Sequence, residues 1–297
     1  MVNIRKFDEQ ISIIIPAFNE EEAISETLKT LINDAELLMA EIILVDDGST
    51  DKTTEITRDF SQVQLLQHRK NQGYGASVST GMRHATRPFV IWFDADGQHQ
   101  VTDLKNLAKS LVYEDLDFCI GERQPGSNQV AQRAFGKSIL RFLVRITSGN
   151  PIEDFNCGLR GFKREIIIHY LHLLPKGFSA STTTTLLMHE RNHLGREISI
   201  TTKMRIGKST VNNLRDGYRT VLIIFRVLLL FKPLLFFSSI GFLLITSGAI
   251  YGFSQAIMFR LGFPVFGSLL ILTGFQILLF GVLSDQISLV RRERFEK

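Results

Sequence analysis

Apolar residues come in short runs along the first two thirds of the chain, and each run ends in a polar, turn-forming cluster. Ile11-Ser-Ile-Ile-Ile15 stops at Pro16, and Glu41-Ile-Ile-Leu-Val45 stops at Asp46-Asp47-Gly48-Ser49-Thr50. Val63 to Gln67 and Phe89-Val-Ile-Trp-Phe93 follow. Short apolar runs bounded by turn residues predict buried strands. Between them the period changes. Ala23, Ile24, Leu28, Leu31 and Ile32 recur at helical spacing and predict a helix over Glu20 to Leu38. Ser49, Thr50 and Asp51 are good N-cap types and mark the start of another helix. Ala76 to Ala85 predicts a third. This alternation predicts an α/β fold: a Rossmann-like, mostly parallel sheet with helices on both faces. In such sheets ligands bind beyond the carboxyl ends of the strands. The unusual polar residues fall at those ends, after Ile15, Val45 and Phe93.

The pattern breaks near Arg219, beyond which apolar residues dominate. Leu234 to Ser254 and Pro264 to Ser284 are uncharged and, at about 20 residues each, long enough to cross a bilayer. Length and lack of charge favour two spans over a hairpin buried in a soluble core. Arg226 and Lys232 flank one side, and Arg291, Arg292 and Arg294 the other. The positive-inside rule places both flanks, and the preceding domain, in the cytoplasm. The expected organisation is a catalytic-sized domain over residues 1–212, an amphipathic interfacial helix over 213–233, and a membrane anchor with a basic tail over 234–297. Arg133, Lys137, Arg141 and Arg145, spaced by four among apolar residues, predict a second interfacial helix. Gly241 and Gly248, and Gly267, Gly274 and Gly281, repeat every seven residues. They allow close helix packing, with the other span or in a homo-oligomer.

Composition excludes several classes. A net charge of +4 over 297 residues, without basic-aromatic interleaving, does not point to nucleic acid. Two cysteines, Cys119 and Cys157, make no disulfide framework and fit a reducing compartment. Met1 to Gln10 has no apolar core, so no signal peptide is expected. Gln124 to Gln129 is a polar, turn-rich loop.

The densest chemistry is Asp94-Ala95-Asp96-Gly97-Gln98, directly after a buried strand. Two carboxylates with an amide oxygen suit Mg²⁺ or Mn²⁺, which prefer oxygen and keep positions open for phosphate. Such an ion would neutralise a diphosphate leaving group.

Ile15-Pro-Ala-Phe-Asn-Glu20, Asp46-Asp47-Gly48-Ser49, Asn71-Gln-Gly73-Tyr-Gly75-Ala and Asp94-Ala-Asp96, in this order, resemble the family 2 glycosyltransferases with a GT-A fold. The resemblance implies a nucleoside pocket at Pro16, Ala17, Phe18 and Glu20, with Val45 and Ala95 lining it. It implies that Asp47, with Asp46 beside it, holds the base or ribose. Asp96 is similar to the metal ligand, with Asp94 and Gln98 completing the site. Gly121-Glu-Arg123, Arg133 to Lys137, Asp154-Phe-Asn-Cys-Gly-Leu-Arg160 and Arg205-Ile-Gly-Lys208 resemble the dolichol-phosphate mannose synthase and polyprenyl-phosphate glycosyltransferase branch. That branch implies donor phosphate contacts from Arg123 and Lys208, and lipid-phosphate contacts from Arg133, Lys137 and Arg160. Arg205 would stabilise the leaving group, and Asp154 would orient the sugar or an arginine. The implied reaction moves a sugar, with glucose from UDP and mannose from GDP as leading donors, onto a polyprenyl phosphate with inversion. Gln100 stands where a proline is common and Phe18 where a tyrosine is frequent, which leaves donor identity open. The only tryptophan, Trp92, lies in a strand, which disfavours a processive synthase.

Other readings are weaker. His189-Glu-Arg-Asn-His193 matches the zinc-protease pattern formally but has no obvious third ligand. Gly73-x-Gly75 lacks the third glycine of a dinucleotide fingerprint. Transfer to another membrane acceptor, such as a lipid hydroxyl, and an inactive membrane scaffold are the remaining alternatives. The intact Asp94, Asp96, Arg205 and Lys208 argue against the scaffold.

Overall fold

The structure is a computed structural model that describes residues 6–123, 157–177, 179–202, 229, 233–260 and 262–293. The chain divides into two compact units, Met1–Asn212 and Asn213–Lys297.

The first unit is a seven-stranded sheet. Its strands are β1 (Ile11–Ala17), β2 (Glu41–Asp46), β3 (Val63–Gln67), β4 (Phe89–Trp92), β5 (Phe118–Arg123), β6 (Arg160–Lys163) and β7 (Gly195–Ile200). They lie in the order β3-β2-β1-β4-β6-β5-β7. All neighbours are parallel except β6, which runs antiparallel to β4 and β5. The carboxyl ends of β1, β2, β4 and β5 therefore share one edge, and β6 starts there, with Arg160 in register with Trp92.

Helices α1 (Ile24–Ile32), α2 (Thr53–Arg58), α3 (Tyr74–His84) and α4 (Val101–Tyr113) connect the first five strands. The apolar stripe of α4, Leu104, Leu107, Ala108 and Leu111, is buried at helical spacing, as are Ile24, Leu28 and Leu31 of α1. Helix α3 rests Gly81 against Ile14 and Val45, while Leu107 and Leu111 of α4 lie against Gly161, the register partner of Ile91. Ile14 is registered with Trp92, and Ile13 with Ile91, so the two helices cover opposite faces. The helix expected over Glu20 to Leu38 is shorter, because residues 20–21 are committed to a loop. There the Glu20 N–H donates to Thr53 Oγ1 and the Glu21 N–H to Asp51.

Helix α5 (Arg164–Tyr170) leads to α6 (Ser179–Glu190), a helix with four consecutive threonines. Threonine is a poor helix former, since its branched side chain loses rotamer freedom. Burial from Ala180 to Met188 overrides that preference. The hydroxyls of Thr184 and Thr185 donate back to the carbonyls of Ala180 and Ser181. His189 lies on α6, but the helix ends at Glu190 and Asn192 has a left-handed φ of 52°. His193 instead meets Tyr170 and Asp117. The two histidines of the protease-like pattern thus do not share a helix.

The second unit is a helical hairpin of α7 (Pro233–Phe259) and α8 (Val265–Glu293). Pro233–Phe259 and Val265–Val290 are long and apolar enough to cross a bilayer, and large apolar side chains such as Phe242, Leu243 and Leu279 face outward. The heptad glycines find their partners inside the hairpin. A Cβ on Gly241 would stand 2.8 Å from the Gly274 carbonyl oxygen, and one on Gly248 would stand 2.9 Å from that of Gly267. Gly281 packs on Phe237. The small-residue stripe is therefore used between the two helices. The interfacial helix expected around Arg133–Arg145, the loop at 124–129 and, apart from residues 229 and 233, the helix expected over 213–233 lie outside the described residues.

Candidate active site

At the shared strand edge, the loops after β1 and β2 are stitched together. Asn19 donates its N–H to Ser49 Oγ at 2.9 Å, and its side-chain oxygen accepts the Thr50 N–H at 2.8 Å. Asn19 adopts a left-handed φ of 54°, which asparagine tolerates. Pro16 and Ala17 are buried at the end of β1, while Phe18 and Glu20 are partly open. Val45 and Ala95 are core residues, and the Ala95 carbonyl accepts the Thr27 hydroxyl.

Asp46 and Asp47 point apart, as successive residues at a strand end must. Asp46 is fully buried and builds its own turn, accepting the Ser49 N–H, the Thr54 hydroxyl and the Gln67 amide. Asp47 reaches the other way. It accepts the Gln72 N–H at 2.9 Å on Oδ1 and the Gly73 N–H at 2.7 Å on Oδ2, and His68 Nδ1 lies 2.7 Å from Oδ1. His68 Nε2 is 2.9 Å from Thr80 Oγ1. A carboxylate offers about four acceptor positions, and the described residues fill three of those on Asp47.

Asp47 thus fixes the turn that leads into α3. Gly73 has φ 102°, and a Cβ there would lie 2.4 Å from the Lys176 carbonyl oxygen. Only glycine suits both that backbone and that approach.

The next residue, Tyr74, crosses to the loop after β4. Its hydroxyl donates to Asp94 Oδ1 at 3.0 Å. His99 Nε2 is 3.4 Å from Asp94 Oδ2. Burial opposes the charge on Asp94, yet His99, the Tyr74 hydroxyl and the Arg160 cation together hold its carboxyl below the usual range. Burial and the adjacent Asp94 charge push the Tyr74 phenol well up, so it stays a hydrogen-bond donor. Asp96 is 9% exposed and its Oδ1 accepts the Gln98 N–H at 3.1 Å, which turns the loop sharply through Gly97. Gly158 closes over Asp94 from the segment before β6: a Cβ there would sit 1.9 Å from Asp94 Oδ2.

One expectation is corrected. Arg160, read from its motif as a lipid-phosphate contact, is 0% exposed. Its guanidinium donates to the Cys157 and Ser181 carbonyls and to the Thr184 and Thr185 hydroxyls, and it stacks 5.5 Å from the Trp92 ring. A cation enclosed in this way does not reach a membrane lipid. The sequence carried one sign of it, the four threonines of α6 that supply polar partners inside the core. Tyr74 and His99 were not singled out from the sequence, although Tyr74 sits inside one quoted motif and His99 directly follows another. Arg123 ends β5 at the same strand edge and is partly exposed. Arg133, Lys137, Asp154, Arg205 and Lys208 lie outside the described residues. Both cysteines are free and buried, and burial raises the Cys119 thiol to about 12.

The fold has solved counterparts. Glucosyl-3-phosphoglycerate synthase from Mycobacterium tuberculosis, in complex with Mn²⁺, UDP and phosphoglyceric acid, superposes with a TM-score of 0.59 over 74% of this chain and 77% of that one, at 17% identity. The likeness establishes the GT-A fold. Among curated relatives, glycosyltransferase AglJ of Haloferax volcanii is 28% identical over 97% of this chain and 96% of its own length. An undecaprenyl-phosphate 4-deoxy-4-formamido-L-arabinose transferase of Pseudomonas fluorescens is 27% identical over 93% of this chain and 84% of its own. Matches to several further relatives span only 50% to 66% of those proteins. Residues 232–290 match the GtrB C-terminal hairpin. Residues 12–171, more than half of the chain, match glycosyl transferase family 2, and the protein belongs to that family.

Proposed function

We propose that this glycosyltransferase moves a sugar from a nucleotide donor onto a polyprenyl phosphate, undecaprenyl or dolichyl, and so makes a lipid-phosphate-linked monosaccharide. The observation that carries the reading is a two-carboxylate loop at the end of β4, facing the knitted β1 and β2 loops, in a chain that also has two apolar spans. The relative named for transfer to undecaprenyl phosphate supports it, because the match runs through the hairpin.

Asp94, Asp96 and Gln98 would hold Mg²⁺ or Mn²⁺. The donor set fits: oxygen ligands, one of them a carboxylate kept charged inside the fold. Two carboxylates and one amide oxygen would leave a hard cation positions for phosphate oxygens and water, and among the described residues no three His, Cys, Asp or Glu side chains group to hold a metal by themselves. When bound, the ion would supply positive charge against the departing diphosphate. Asp47 and the half-open Phe18 and Glu20 would form the nucleoside side of the site, with UDP-glucose and GDP-mannose the first donors to try.

The acceptor needs no strong base, since a lipid phosphate is already an anion at neutral pH. Its oxygen attacks the anomeric carbon in line while the bond to the nucleoside diphosphate breaks, which inverts that carbon. Arg123, Arg205 and Lys208 gather the donor phosphates, with Arg133 and Lys137 on the lipid phosphate and Asp154 orienting the sugar. Arginine suits bidentate phosphate contacts and lysine a point charge. The basic flanks of the spans support a cytoplasmic side for the catalytic unit.

Detergent-purified protein with Mn²⁺, a polyprenyl phosphate and a panel of labelled nucleotide sugars tests the reading. Label is expected in the organic phase, lost with EDTA, and reduced by about a thousandfold in Asp96→Asn, in line with the loss of a charge-stabilising group. Full metal-dependent activity in Asp96→Asn would remove Asp96 from the site.

A further inference from the structure

Asp47 and Asp94 serve different parts of the site, and the structure joins them through three consecutive residues. Asp47 accepts the N–H groups of Gln72 and Gly73. Tyr74 follows directly and donates its hydroxyl to Asp94 Oδ1 at 3.0 Å. The turn has little freedom, because Gly73 is pressed against the Lys176 carbonyl and Ala76 N–H also donates to that carbonyl at 3.2 Å. The phenol ring is held as well, edge-on to Trp92 with centroids 6.3 Å apart, and Trp92 is fixed in turn by Met82 and the Arg160 guanidinium.

Asp94 has a short side chain with one decisive torsion. Left alone at a loop, a carboxylate samples several rotamers, and each would aim its oxygens elsewhere. Here Oδ1 is taken by Tyr74, Oδ2 lies beside His99, and Gly158 blocks the third side. We propose that Tyr74 is a positioning residue: its hydroxyl locks the Asp94 carboxylate in the orientation that receives the divalent cation, and through Gly73 it ties that orientation to the Asp47 turn. The inference rests on the reading of Asp94 and Asp96 as the metal carboxylates. Partners of a metal-binding carboxylate typically change metal affinity by about 10- to 100-fold when removed.

Tyr74→Phe removes the hydroxyl and keeps the ring against Trp92. Mn²⁺ affinity is measured directly, by electron paramagnetic resonance titration of the whole protein with UDP present. About a tenfold weaker Mn²⁺ affinity is expected, with the metal-free melting temperature little changed. In the transfer assay the KM for Mn²⁺ rises by a similar factor, while kcat at saturating Mn²⁺ stays within about threefold, since excess metal repopulates the bound orientation. A purely structural role would lower the melting temperature and leave the metal affinity of the folded fraction untouched. An unaltered protein that binds Mn²⁺ beside a Tyr74→Phe variant that binds it equally well overturns the positioning role alone. No Mn²⁺ binding by the unaltered protein overturns the metal reading and this inference with it.

Discussion

Gly158→Ala is expected to slow sugar transfer by about two orders of magnitude while the protein still folds, because a misplacement near 1 Å at reacting groups costs about that much. The added Cβ would lie 1.9 Å from Asp94 Oδ2, 2.6 Å from Cγ and 2.9 Å from Oδ1. Every heavy atom of the carboxylate is in the way, so no small torsion relieves the overlap. The side chain must rotate, and rotation breaks the Tyr74 bond and the His99 contact together. Gly158 lies in irregular backbone directly before β6, so the unfolding midpoint should move little. The initial rate over a range of Mn²⁺ concentrations checks this. A near-normal rate would mean that the Asp94 orientation does not matter to the reaction.

The second large effect concerns stability. Arg160→Leu is expected to destabilise the catalytic unit by about 3–5 kcal/mol, the usual result of removing one member of a buried charged network. The guanidinium holds three parts of the fold at once. Its N–H groups engage the Cys157 carbonyl before β6, the Ser181 carbonyl and two threonine hydroxyls of α6, and its face covers Trp92 of β4. Leucine takes the guanidinium donors away from those buried acceptors, and Asp94 loses a favourable charge. Arg160→Lys should not rescue it, since a single ammonium cannot span the fork. Chemical unfolding followed by tryptophan fluorescence reports directly on Trp92, the only tryptophan. An unchanged midpoint for Arg160→Leu would return Arg160 to a role at the phosphates.

These two residues also mark how far the sequence reaches. β1 to β4 were legible because each is an apolar run closed by polar turn residues, and the fold class followed from their alternation. The last three strands were not. β6 is Arg-Gly-Phe-Lys, a run with no strand signature, and it exists because Arg160 finds partners in α6 and Gly161 makes room for Leu107 and Leu111. The motif around Arg160 conveyed charge but not burial, so a core cation was read as a phosphate contact. The sequence marked the carboxylates as a group at the strand ends, yet the division of labour among them was not visible. Asp46 spends itself on its own turn, Asp47 holds the entry to α3, and Asp94 is aimed by His99 of its own loop and by Tyr74, 20 residues earlier. In the hairpin, the glycine heptads announced close packing, and only the paired helices named the partner.

The most direct test of the central claim is the chemical identity of the product. Protein, Mn²⁺, a polyprenyl phosphate and the donor that labels the organic phase are incubated, and the lipid is analysed by mass spectrometry. The account predicts the mass of the lipid monophosphate plus one sugar residue, with inverted anomeric configuration and release of the nucleoside diphosphate. A lipid diphosphate sugar with release of nucleoside monophosphate, or a sugar on a lipid hydroxyl, would contradict it.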